Sequence, residues 1–262
     1  VILLILVTAL FLRLILVNQG GNVWQSQRLT LKLNDLIKGR VENLVLFAIA
    51  LCLFAWMVQT VFSQSLLLLL ASLLYLYLFY TGHQEIKLQQ SESYRHRILS
   101  LLNQGSLEGE IDDKNQPIEQ LESQVRSLFI SQYFIFTLVL TFLFLLLGWY
   151  GLVLFLCLYK VALHQPPGWF TKLKLLIEIP VGLFGCMSVA LAGKMDAVIG
   201  EVAQWQMASF INGLQMFELA LITGSNETLE QETFIDQLNA YQAVCNRATY
   251  VWVFVVALIS IT

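Results

Sequence analysis

Two charged side chains stand where the chain is otherwise hydrocarbon. Glu178 lies within "LLIEIPVGLFG", residues 175–185, close to Pro180, Gly182 and Gly185. Arg13 interrupts the apolar run of residues 1–17. A carboxylate or guanidinium inside an apolar span can hold an ion or a polar ligand, so each is a site hypothesis by default. Each also has a plainer reading. Arg13, five residues from the end of its run, can snorkel to an interface. Glu178, three residues into its run, lies about 5 Å along the helix axis from Leu175 and can sit among headgroups.

Other chemistry is sparse. Cys52, Cys157, Cys186 and Cys245 are far apart, and three stand inside apolar runs, which suits small apolar fillers better than a disulfide or a zinc site. His83, His96 and His164 show no metal-ligand spacing. "AGKMD" at residues 192–196 lacks the upstream glycine of a phosphate-binding loop, and no GxSxG or HExxH occurs. "DDKNQPIE" at residues 112–119 has neither the oxygen spacing nor the central glycine of a calcium loop, and reads as a solvated acidic segment. No catalytic residue, cofactor or metal is therefore assigned.

The elements that must position these residues are set by composition. The chain is 57% hydrophobic and 13% charged, with a mean hydropathy of +0.69. Soluble domains carry about 25% charged residues, so lipid is part of the expected solvent. A net charge of −3 without a basic stripe argues against a nucleic-acid footprint, so no nucleic-acid partner is expected. The predicted fold is all-α, a polytopic helical membrane protein forming one domain over residues 1–262. Its membrane segments are residues 1–17, 44–62, 66–80, 129–147, 152–163, 175–192 (partial or re-entrant) and 248–262.

Residues 1–17 lack a basic leader and a small-x-small cleavage site, so a cleaved signal peptide is not expected. Residues 18–40 repeat Val23, Leu29, Leu33 and Leu36 at helical spacing beside four Lys/Arg, as an interfacial amphipathic helix does. "SQS" is short enough to impose a tight helical hairpin between 44–62 and 66–80, and "GWYG" joins a second pair. Residues 83–128 form a cytoplasmic loop containing "YRHR", and residues 196–247 an amphipathic helical segment. The last run, 15 residues, reaches only about 22 Å against a core of about 30 Å, so the natural chain is expected to continue.

Lys/Arg placement orients the spans. The positive segment 18–40 belongs in the cytoplasm, the "SQS" and "GWYG" turns outside, and Lys87, Arg95, Arg97, Lys160, Lys172 and Lys174 inside. Residues 195–246 hold seven acidic residues and no Lys or Arg, and their side is not settled. Within 175–192, Pro180 suits a first helical position, where its absent N–H is not missed. That predicts a helix starting at Pro180, broken or partly inserted, with Gly182 and Gly185 permitting close packing. An ordinary tilted span with an interfacial acid is the alternative.

Three stretches carry a family resemblance. "FLRLILVNQGGNVWQSQRL", "IEIPVGLFGCMSVALAG" and "NRATYVWVFVVALISI" resemble the AmpE family, bacterial inner-membrane proteins named for β-lactamase regulation and distantly related to the CobD/CbiB membrane enzymes of cobalamin assembly. Leu12 stands where the family commonly has an acid, and Gly182 where it has an arginine. An arginine there would grip phosphate or carboxylate, and glycine cannot. The aspartate-rich and histidine-proline elements of the cobalamin enzymes are also missing.

The resemblance implies a multi-pass inner-membrane protein without catalytic activity, regulating or scaffolding cell-wall homeostasis and the β-lactam response. Its expected partners are the bilayer and either another membrane protein or a second copy. The alternative is a membrane enzyme or small-molecule binder of the cobalamin branch, whose polar pocket would be lined by Arg13, Trp24, Arg28 and Glu178. A transporter would show an internal repeat, of which the two helical pairs give only a trace.

Overall fold

The computed structural model describes residues 40–61, 64–82, 117–160, 166–204, 212–225 and 234–261. The expectations for the 1–17 span, the interfacial segment 18–40 up to Gly39, and most of the 83–128 loop lie outside the described residues. Every described element is helical. In chain order these are α1 (Val41–Val61), α2 (Gln64–Gly82), α3 (Ile118–Leu147), α4 (Trp149–Phe155, continued by Leu156–Lys160), α5 (Gly168–Ala192), α6 (Met195–Gln204), α7 (Gly213–Ser225) and α8 (Phe234–Ile261). The stretches Phe134–Val139 within α3 and Leu156–Lys160 at the end of α4 are wound as π-helix.

Among the described residues, three helices are long and apolar enough to cross a membrane: Val41–Thr60, Ile118–Leu147 and Gly168–Ala192. Leu67–Leu78 and Trp149–Tyr159 are shorter apolar helices. The chain separates into two compact units. The first holds α1, α2, α3 from Ile135, α4, α5 up to Val181 and α8 from Val255; the second holds the remaining described helices and helix segments.

In the first unit α1 and α2, separated by only two residues, form the expected hairpin, with Gln64 and Ser65 of "SQS" already in α2. Glu42 in the first turn of α1 suits the positive end of the helix dipole. α2 buries Leu67, Ala71, Tyr75 and Leu78, which recur at three- and four-residue steps and therefore share a face. Tyr75 stacks on Phe144 of α3, with ring centroids 4.6 Å apart, and its hydroxyl bonds the Thr141 hydroxyl at 2.9 Å. An aromatic ring is thus buried with its polar tip satisfied. α1 joins α4 through Trp149, whose indole N–H donates to the Leu51 carbonyl at 3.4 Å and whose ring lies 6.3 Å from Phe54.

α3 and α4 fold back on each other at Gly148, whose φ of 56° is available to glycine at little cost. Immediately after the turn, a Cβ on Gly151 would run into the backbone carbonyl of Leu143. Further along, Phe136 and Phe155 meet edge to face at 5.8 Å.

The second unit is built on a parallel pair. A Cβ on Gly182 of α5 would lie 2.5 Å from the Gly213 carbonyl oxygen of α7, and one on Gly193, just beyond α5, would lie 2.9 Å from that of Gly224. Between them the Cys186 thiol donates to the Met216 carbonyl at 3.3 Å. Residue numbers rise together on both helices, so α5 and α7 run in the same direction, with α6 as the connection packed on α7. The α3 segment also runs parallel to α8. Arg126 meets Gln237, while Tyr133 donates to the Cys245 carbonyl at 2.6 Å and also bonds the Thr249 hydroxyl.

One expectation is corrected here. The helix does not begin or break at Pro180: α5 runs unbroken from Gly168 to Ala192 with Pro180 inside it. The apolar run read from sequence begins at Leu175, after Lys172 and Lys174, whereas the helix includes both lysines. Seven further residues make the helix 25 residues long, about 37 Å, which is long enough to cross a hydrocarbon core. Proline inside an apolar helix removes one backbone bond, a loss that neighbouring helices compensate. Gly182 and Gly185 are buried on this same helix. A second difference is that α8 passes through residues 247–248 without interruption, where the sequence suggested a boundary.

Candidate functional site

Glu178 is 3% exposed, on the part of α5 that belongs to the first unit. One carboxylate oxygen, Oε1, gathers two partners. The phenol of Tyr159 donates to it at 3.1 Å. The ammonium of Lys174, one helical turn earlier, stands 3.7 Å away. That ammonium also lies over the Tyr159 ring, 5.1 Å from the centroid. Carboxylate, phenol and ammonium therefore form a closed triangle.

Local structure explains each placement. Lys174 and Glu178 are four apart on a helix and so share a face. Tyr159 belongs to the π-wound end of α4. A π-turn adds a residue to the turn and rotates everything after it, and such turns recur at functional sites. Phe155, fully buried, stacks on the Tyr159 ring at 5.4 Å and holds its plane. Burying a bare carboxylate is expensive, and a hydrogen bond and an opposite charge both reduce that penalty. Lys174 is suited to the task, since its side chain is 40% exposed and its stem reaches inward from the accessible side.

A second cluster occupies the other unit. Arg126 of α3 donates to the Gln237 side-chain oxygen at 3.2 Å, and its guanidinium carbon lies 6.0 Å from the ring centroids of both Phe234 and Tyr241 on α8. Amide and two aromatic faces together clamp one cation, which ties α3 to α8. Among the described residues, no group of three or more His, Cys, Asp or Glu side chains is placed to hold a metal.

Of the residues expected to line a polar pocket, only Glu178 falls among those described; Arg13, Trp24 and Arg28 lie outside them. The structure brings to Glu178 two groups that the sequence reading passed over. Lys174 was legible, being four residues before the acid, once the helix is known to start at Gly168. Tyr159 was not: nothing local announces that a π-turn aims it at a residue 19 positions away. Arg126 was not legible either: the sequence singles it out by no motif, and its partner Gln237 lies 111 positions away.

No protein-family model matches the chain, and neither a curated protein nor a solved structure does so.

Proposed function

We propose that this chain is a helical protein of the bacterial inner membrane, AmpE-like in kind, acting without catalysis as a regulatory or scaffolding component of cell-wall homeostasis and the β-lactam response. The observation that supports the membrane setting is the outward surface of the apolar helices. Leu46, Ile49, Leu53, Trp56 and Met57 on α1, and Leu176, Leu183, Phe184, Met187 and Leu191 on α5, are all exposed. Apolar stripes of that length are hard to keep in water and are at home in acyl chains. The interior supports a packing role: tyrosines, threonines and closely approached glycines join helix to helix, as is usual where lipid removes the hydrophobic drive between helices.

The regulatory reading rests on the three stretches that resemble the family. Deletion of the gene combined with affinity capture of the tagged chain from solubilised membranes tests it. The expected result is an altered β-lactamase response and retention of a membrane protein or a second copy. A normal response with the chain recovered alone would sink the reading.

A second reading, the small-molecule binder, is favoured by one observation, the buried Glu178 held between a phenol and an ammonium. Its wider form adds Arg13, Trp24 and Arg28 to the lining. If alanine at any of those three changes neither ligand retention nor the behaviour of Glu178, that wider pocket is excluded.

A further inference from the structure

The triangle at Glu178 has the composition of a cation receptor. Recognition of an organic ammonium combines a carboxylate, which supplies charge, with an aromatic face, which attracts the cation through its quadrupole. Both are present and already engaged with an ammonium. Lys174 Nζ lies 3.7 Å from Glu178 Oε1 and 5.1 Å from the centre of the Tyr159 ring. The carboxylate is 3% exposed, and the fully buried Phe155 stacks on the Tyr159 ring at 5.4 Å. The occupant differs in being tethered, and the Lys174 side chain is 40% exposed against 4% for Glu178, so the lysine has accessible space into which it can swing away from the carboxylate.

We propose that the Glu178 carboxylate and the Tyr159 ring form a binding site for a primary alkylammonium group, a site occupied in this structure by the chain's own Lys174. Lys174 is then a displaceable internal ligand. A tethered group competes at an effective concentration of about millimolar, so an external amine must exceed that level, or Lys174 must be drawn away, before the site is free. The same chemistry is offered by a soluble amine and by the headgroup of an aminophospholipid. This inference is independent of the regulatory reading, and either can fail alone.

The test uses the full chain in detergent, with n-butylammonium as the probe followed by ligand-observed NMR. Lys174→Ala is expected to show saturable binding about 10-fold or more tighter than the unaltered protein. Adding Glu178→Gln to that variant should abolish the binding. Adding Tyr159→Leu should weaken it several-fold, whereas Tyr159→Phe, which keeps the aromatic face, should weaken it less. Tetramethylammonium, with no N–H to donate, should bind more weakly than butylammonium.

A parallel arm reconstitutes Lys174→Ala in nanodiscs of mixed phosphatidylethanolamine and phosphatidylcholine and weighs the co-purifying lipid. Selective retention of phosphatidylethanolamine assigns the site to a headgroup; binding of butylammonium without such retention assigns it to a soluble amine. Lys174→Gln, which retains a donor toward Glu178, serves if the alanine variant does not fold. If neither variant folds, recovery of the fold by butylammonium supports the site, and no recovery overturns it. Equal binding by the unaltered chain and Lys174→Ala, or binding indifferent to Glu178→Gln, overturns it as well.

Discussion

At the scale of single residues, buried polar atoms in this chain are used to join helices. Tyr133 is the clearest case, since its hydroxyl reaches both the Cys245 carbonyl and Thr249 across from α3 to α8. Replacing it with phenylalanine removes the bonds and leaves the ring stacked on Phe217 at 5.7 Å. The expected loss is about 1–2 kcal/mol of stability, read as a lower thermal midpoint in detergent with an unchanged helical spectrum. Tyr75→Phe, which gives up the Thr141 bond, should cost somewhat less, about 1 kcal/mol. At Glu178 the sequence showed the anomaly and not its resolution. A lone acid in an apolar run was visible, and so was a lysine four residues before it. The phenol of Tyr159 was hidden, because helical periodicity carries no information about which helix a π-turn faces.

At the scale of elements, the apolar hairpins were legible because each run is bounded by a link too short to do anything else. α5 was misread. Its first turns carry Lys172 and Lys174, and hydropathy alone assigns such residues to a loop, although lysine is a good helix former. Pro180 then looked like a start, when it is an interior residue of the helix. The α5–α7 pair depends on glycine at its contact. Gly182→Leu should separate the two helices, since even a Cβ would lie 2.5 Å from the Gly213 carbonyl oxygen. The expected outcome is a loss of about 2 kcal/mol or more and failure of a disulfide designed across α5 and α7 to form. Gly148→Ala meets no neighbour within 4 Å, so its penalty is conformational alone; at φ 56° and ψ −126° the backbone lies in a region disfavoured for L-residues, and the expected loss is about 1–3 kcal/mol. Comparing the two thermal midpoints separates backbone strain from steric exclusion.

At the scale of the molecule, a chain that is 57% hydrophobic and 13% charged leaves a large apolar surface outside its helices after they have packed. That excess was readable from composition. The division into two units was not, because α3, α5 and α8 each contribute to both, and hydropathy sees helices only as wholes. The proposed bilayer accounts for the excess by supplying the missing apolar contacts. Its most direct test is the partition of the full chain after washing membranes in alkaline carbonate. The account predicts that the chain stays in the pellet and is released only by detergent. Release into the aqueous wash as a folded, monodisperse protein would contradict it.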